Sequence, residues 1–428
     1  MVADVTDIKD LFKKFHLLEP SFMRKICLTV VGSFLLFINS FSQTTDSTSE
    51  YHSPILKLEE ANLVSNYYSQ MGNHSAITGG LGTQKVNDFS NIIELKYVRW
   101  GSLDRKITLD FDLGIDHHTA ASSAYVSKSG ASQTGGTRVY PSSNWQIENS
   151  AKRTTFGLGA ALSFEYTYHS YSLNALYSKQ SLDKNTEFSA KANLFLDAVK
   201  LVYPSELRPA TTSVNTSASY GGSSSKPHIP SKLRSTFATS FTLSHVINKN
   251  MQVALIGDAV AQGGYLGLPF HRVYFTNKSV GVEKLPDTRF KLPLGVRFNY
   301  FAGDKVVFRT YYRYYADSWG ISAHTASIET VVKITPFISV SPFYRYYTQT
   351  TSDYFAPKYG RPVTDQYFTS NYDYSAFNSS YEGINFRFTT AKGLFGIESL
   401  NMIELRYGHY GQTTGLVANN FSLNLRFK

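Results

Sequence analysis

The chain has 428 residues, 42% of them hydrophobic, with a mean hydropathy of -0.22. No stretch beyond residue 42 offers the roughly 18 apolar residues that a membrane helix needs, so any membrane span must be built from strands. The formal net charge is +10, yet Lys and Arg are scattered rather than gathered into a patch, which argues against a nucleic-acid partner.

Residues 1–22 belong to no recognisable signal and read as a mis-started or dispensable leader, with translation expected from Met23. Residues 23–42 follow the three-part grammar of a secretory signal. Met23-Arg24-Lys25 is the basic start, Ile26 to Ile38 is the apolar core, and Ser40-Phe41-Ser42 places small residues at −3 and −1. Cleavage is expected before Gln43. The only cysteine, Cys27, lies inside this segment, so the mature chain is expected to carry neither a disulfide nor a reactive thiol. Residues 43–59 are polar and predict a flexible lead-in.

From about residue 60 onward, apolar and polar side chains alternate in repeated segments, the period of a strand with two unlike faces. Ile107, Leu109, Phe111, Leu113 and Ile115 alternate with Lys106, Thr108, Asp110 and Asp112. The stretch Phe156 to Tyr168 keeps the same period and reads as one strand. Phe290 to Phe298 alternates with Lys291, Gly295, Arg297 and Asn299, and Phe421 to Phe427 closes the chain in the same way. Between residues 60 and 90 the segments Asn62–Gln70 and Ser75–Leu81 allow either two strands or one interrupted strand.

Connections alternate as well. Short polar turns fall at 100–105, 149–153, 181–185, 248–250, 302–305 and 333–336; long segments fall at 117–137, 201–234, 263–288 and 350–376. Short turns at one end and long loops at the other are the mark of an outer-membrane barrel. The predicted fold is an all-β, closed antiparallel transmembrane barrel of roughly 14–16 strands spanning 60–428. Aromatics make up 15% of the chain, as suits strands and interfacial belts. A secreted sandwich or propeller shares that composition, but it has no reason to segregate its loops. Penultimate Phe427 is a candidate signal for the barrel-assembly machinery, and outer-membrane lipids would cover the apolar face.

If the apolar register faces lipid, the other register lists the lumen. It contains a basic set (Arg297, Arg309, Arg313, Arg345, Arg387, Arg406 and Arg426) and an acidic set (Glu94, Asp110, Asp112, Asp116 and Glu165). Opposed walls of this kind would place a transverse field across a passage for small polar or anionic solutes. The same charges could instead pair and fill the interior, since an unpaired buried charge is costly. Tyr311, Tyr312 and Tyr314, with Tyr344, Tyr346 and Tyr347, predict an interfacial girdle, or solute stacking by the inward members Tyr311 and Tyr347. No pattern points to an enzyme, a metal site or a cofactor. His117 and His118 lack further ligands at fixed geometry, and His271, His324 and His409 stand alone. Gly79-Gly80-Leu81-Gly82 precedes no helix and is no phosphate cradle. A hydrolase is disfavoured because no local motif singles out a nucleophile. The competing reading is a non-conducting scaffold that binds partners through its long loops.

Several stretches carry a resemblance. They are Gly72 to Gly80, Asp116 to Ser122, Phe270 to Phe275 with Lys284 to Arg289, Tyr311 to Tyr315, and Ser341 to Tyr347. Together they resemble a family of Gram-negative proteins catalogued only as a domain of unknown function and expected to be outer-membrane barrels. The resemblance implies a barrel and supplies no substrate and no functional residues. Family members lie near thioredoxin-like and flavin-transfer proteins, which implies envelope redox proteins as partners.

Overall fold

The computed structural model describes residues 55–101, 105–119, 135–207 and 229–428. The signal segment with Cys27, the cleavage point before Gln43 and the Ser/Gly-rich run from Ser213 to Ser225 lie outside the described residues.

Sixteen antiparallel strands close into one barrel. The first nine are β1 (Lys57–Met71), β2 (Val86–Gly101), β3 (Arg105–His118), β4 (Gly136–Asn149), β5 (Thr154–Phe164), β6 (Tyr168–Gln180), β7 (Thr186–Lys200), β8 (Ser231–Asn248) and β9 (Met251–Gly264). A two-stranded hairpin, β10 (Arg272–Tyr274) with β11 (Val280–Val282), stands apart from the barrel wall. The wall resumes with β12 (Thr288–Ala302), β13 (Val306–Asp317), β14 (Ser322–Lys333), β15 (Ile338–Gln349), β16 (Phe377–Thr389), β17 (Leu400–Gln412) and β18 (Val417–Phe427). Closure comes from β1, which pairs with β2 on one side and with β18 on the other. Every barrel strand therefore has two partners, and no edge is left exposed.

The alternation seen in the sequence becomes two faces. Leu173, Leu196, Leu255 and Phe290 are 60%, 52%, 55% and 51% exposed on the outside. Each such side chain gains about 1.5–3 kcal/mol on transfer from water to an apolar medium. An exterior of this kind is stable in a bilayer and not in water. Among the described residues no helix is long and apolar enough to cross a membrane.

Three sequence expectations change in detail, the first being that β1 begins at Lys57, inside the stretch read as a flexible lead-in over 43–59. The stretch from Phe156 to Tyr168 is not one strand: β5 ends at Phe164, and a three-residue turn at 165–167 leads into β6. The Glu165 amide donates to the Tyr168 carbonyl at 2.9 Å and closes that turn, a backbone event that leaves the side-chain period unbroken. Ser75–Leu81 forms no strand. It holds a single 3-10 turn at Ala76–Thr78, ended by Gly79 at φ 76°.

The inner end, which holds Lys57 and Phe427, has tight connections, apart from a longer one at 390–399. That connection folds Leu394 and Ile397 over the closure seam, where Phe427 is 3% exposed against Ala61 and Leu400. Phe427 thus has a packing role in the finished barrel. The outer end carries the long loops together with three tight turns, at 165–167, 318–321 and 413–416.

Candidate functional site

Strand register decides which side chains meet in the lumen. Arg297, Arg309, Arg313, Arg345, Arg387, Arg406 and Arg426 all lie on the inward register of β12 to β18. The pairings Arg309 with Glu329, Arg345 with Ser327 and Asn385 with Arg406 carry that register from strand to strand. Glu94, Asp110, Asp112 and Asp116 share the inward register of β2 and β3. Glu165 sits in the turn after β5, with its carboxylate 3.7 Å from His118 at the outer rim.

The strands that carry Glu94, Asp110, Asp112 and Asp116 face the first strands of the basic set, whereas Arg387, Arg406 and Arg426 lie farther round, on β16 to β18. Between β2 and β9 stand the six strands β3 to β8, and between β1 and β12 stand the six strands β13 to β18. The acidic β2–β3 wall is therefore diametrically opposite β12–β13. A barrel of sixteen strands is wide enough for an aqueous interior.

Some of these charges are neutralised locally. Arg138 clasps Asp116 at 2.7 Å, and Tyr140 donates to the same carboxylate at 2.7 Å. Arg387 pairs with Glu404. Arg313 lies 3.6 Å from Asp258, and Arg426 donates to the Asn401 side chain at 3.0 Å. Glu329 is shared by Arg309 at 2.9 Å and Arg406 at 3.7 Å. The rest are not. Among the described residues, Arg297 and Arg345 have no acid within ion-pair distance. On the facing wall Glu94 and Asp112 accept hydrogen bonds from Asn62 (3.2 Å) and Ser142 (2.6 Å), but among the described residues no cation forms an ion pair with either carboxylate. The set thus divides into a paired network and a residue of free charges on opposed walls.

Those free arginines line a cavity of about 480 Å³ on the basic wall, bounded by Arg297, Arg309, Arg345, Arg406, Tyr311 and Tyr381. Its floor is aromatic. Arg345 lies over the Tyr381 ring at 5.0 Å, Tyr381 meets Phe343 at 5.2 Å, and Arg406 lies over Phe343 at 4.1 Å. Glycines make room for the rings: a Cβ on Gly383 would overlap Phe343, and one on Gly408 would overlap Tyr381. Tyr347 also faces inward and donates to Gln349 at 2.6 Å. Tyr312, Tyr314, Tyr344 and Tyr346 point outward, at 44%, 37%, 44% and 42% exposed. The clusters thus divide between the two faces, Tyr311 and Tyr347 inward and the other four outward. Glu329, Tyr381 and Phe343 were missed in the sequence; their inward register was readable, but not the neighbours they would meet.

The long loops at 265–287 and 350–376 do not stand free. Loop 265–287 is rooted between β9 and β12, and loop 72–85 between β1 and β2, at opposite points of the rim. They meet: the Arg272 guanidinium donates to the Ile77 carbonyl at 2.6 Å and pairs with Glu206. Segments rooted on opposite sides can touch only over the mouth. Loop 350–376 locks onto both. His74 stacks on Tyr372 at 3.8 Å, and Phe275 meets Phe368 edge-on at 4.8 Å. Buried Glu283 accepts from the Leu268 amide (2.8 Å) and from Thr369 Oγ1 (2.5 Å), with His271 at 3.4 Å. Trp319 is 1% exposed, donates to the Thr288 carbonyl at 2.9 Å, and lies under the Arg289 guanidinium at 4.3 Å. Tyr374 packs beside it, and burial, with Glu283 adding, pushes its phenol up to about 12. The outer mouth is spanned by a folded cap with its own core.

His271 therefore belongs to the cap, whereas His324 meets Tyr312 at 2.8 Å and His409 meets Asn419 at 2.9 Å on the outer face. Among the described residues no three His, Cys, Asp or Glu side chains are grouped to hold a metal.

The profile of a family described as "Protein of unknown function (DUF3570)" matches residues 114–415. The chain belongs to the DUF3570 family. No curated protein matches it in sequence. Among solved structures, this DUF3570 chain is similar to OccK2 (OpdF) of Pseudomonas aeruginosa, with 7% identity and a TM-score of 0.40, over 86% of this chain and 98% of that one. It is also similar to a BenF-like porin from Pseudomonas fluorescens Pf-5, with 9% identity and a TM-score of 0.41, again over 86% and 98%. A bacterial polysaccharide outer membrane secretin gives 7% identity and a TM-score of 0.41, over 86% and 98%.

Proposed function

We propose that this protein is a passage in the outer membrane for small polar and anionic solutes. One observation carries the reading. Among the described residues, Arg297 and Arg345 face the lumen with no acid to neutralise them, while Glu94 and Asp112 stand on the opposed wall with no cation. A barrel filled by a packed network would pair these groups, because a desolvated lone charge costs several kcal/mol. Left in an aqueous lumen they impose a transverse field that orients dipolar solutes and disfavours apolar ones. The apolar exterior supports contact with outer-membrane lipids, and Phe427 at the closure seam supports handling by the barrel-assembly machinery. The signal at 23–42, with cleavage before Gln43, would supply export.

Planar-bilayer recording tests the reading. Purified protein should give discrete conductance steps, with a reversal potential in a salt gradient that shows a preference for anions. Absence of any step, including after loosening of the cap, would refute a passage. That outcome would favour the second reading, a non-conducting scaffold whose ordered cap surface binds a partner. We propose no enzymatic role.

A further inference from the structure

We infer that the cavity framed by Arg297, Arg309, Arg345 and Arg406 is a binding site for small organic dianions, such as dicarboxylates or phosphate monoesters; the inference rests on the passage reading above. Its first support is a charge count over the lining. Four guanidinium groups face one carboxylate, Glu329, which is already shared between Arg309 and Arg406. The two remaining arginines, Arg297 and Arg345, have no acid within ion-pair reach among the described residues. The lining carries a net charge of +3 (four guanidinium groups minus one carboxylate), so a monoanion leaves +2 and a dianion +1, and a dianion can meet Arg297 and Arg345 at once.

The second support is the way the guanidinium groups are held. Arg345 lies over Tyr381 and Arg406 over Phe343, and those two rings touch each other. Stacking engages the flat face of a guanidinium and leaves its N–H edge for a ligand. That edge is a planar fork of donors matching the paired oxygens of a carboxylate or a phosphate. Lysines would give the same charge without the fork, yet all four cations here are arginines.

The third support is position and size. A groove of about 480 Å³ on the lumen wall matches the size of a compact metabolite. The carboxylates Glu94, Asp110 and Asp112 lie on the far wall, where they repel an anion toward the arginines. The aromatic floor of Phe343 and Tyr381, with Tyr311 at the side, offers apolar surface to the carbon skeleton that links the two charges.

Calorimetry on the full-length barrel in detergent tests the site without requiring conduction. The probes are succinate, phenyl phosphate, acetate and sorbitol. Succinate or phenyl phosphate should bind at least about tenfold more tightly than acetate, and sorbitol should give no heat. The stronger of the two dianions assigns the preferred head group. Arg297→Gln and Arg345→Gln should each weaken dianion binding by about tenfold or more, whereas Lys184→Gln, in an inner turn, should not. Arg345→Lys keeps the charge and loses the fork, so it should weaken binding in a variant that folds even if the glutamine form does not. Heat-modifiable gel migration verifies folding of each variant. Equal affinity for acetate and succinate overturns the site. So does a dianion signal that vanishes into the acetate level in about 0.3 M salt, the behaviour of a diffuse counter-ion layer. Dianion binding by a protein that never conducts would overturn the passage and leave the site standing. Conductance without dianion preference would do the reverse.

Discussion

Arg272→Ala should loosen the cap while leaving the barrel folded. The Arg272 side chain is 8% exposed and ties two loops rooted on opposite sides of the mouth. Its bond to the Ile77 carbonyl is charge-assisted, and such a bond contributes about 1.5–3 kcal/mol. Its pair with Glu206, whose side chain is 45% exposed, is discounted for solvent screening to about 0.5–1 kcal/mol. The sum, about 2–4 kcal/mol, raises the population of undocked loops by about 30- to 700-fold, since each 1.4 kcal/mol is tenfold. The loss falls on the docking of loop 72–85 against loop 265–287, because the barrel hydrogen bonds are untouched. Two measurements read it: the rate of limited proteolysis within 265–287, and the frequency of open events in planar bilayers. Both should rise, with heat-modifiable migration unchanged. If neither changes in a variant that still migrates as a folded barrel, the loops do not form a mouth-spanning cap held by Arg272.

Three further outcomes follow from the same geometry. Gly79→Ala should weaken the cap by about 1–3 kcal/mol, because Gly79 has φ 76° and an added Cβ would strike the Tyr274 ring; protease sensitivity no greater than wild type would contradict this. Leu294→Arg places a cation on the lipid face near mid-strand, where Leu294 is 49% exposed, and should cost about 2–4 kcal/mol in refolding into liposomes. An undiminished folding free energy would mean that this face does not meet hydrocarbon. Tyr374 is held neutral by burial, its pKa raised from the ordinary 10.0 to about 12. A phenol whose folded pKa is raised stabilises the docked cap fully below pH 10.0, and that contribution fades as the pH climbs through about 12. Carbon-13 tyrosine NMR, assigned by comparison with Tyr374→Phe, should find its midpoint well above 10.0, and a midpoint at the ordinary value would show that the ring is not buried.

Much of the fold was legible because the strand period is local. Side chains two residues apart share a face whatever the rest of the chain does, so Arg309 and Arg313 could be placed inward, and Tyr312 and Tyr314 outward, before any pairing was known. Loop lengths separated the two ends for the same reason. The same period hid the turn at 165–167, since a tight reversal there keeps the alternation running from Phe156 to Tyr168. It also left Ser75–Leu81 ambiguous, because a short loop packed against other loops acquires apolar residues just as a strand does.

The opposed charged walls were foreseen as a pair of lists, but not their partners. Which arginine is neutralised depends on registers between strands far apart in sequence. Glu329 serves both Arg309 on β13 and Arg406 on β17, which lie 97 residues apart in the chain (406 minus 309). The cap was still less visible, because its loops looked like free surface until closure of the barrel brought their roots to opposite points of one rim.

By itself, then, the sequence determined most of the strands, their two faces, the end that bears the long loops and most of the residues that face inward. Each of these follows from a pattern within one segment. Tertiary structure alone decided that Arg297 and Arg345 stay unpaired while Arg387 does not, that Tyr381 and Phe343 floor the cavity, and that Arg272 reaches Ile77 across the mouth. These depend on strand number, stagger and closure, which are set by the cooperative hydrogen bonding of all sixteen strands rather than by any one of them.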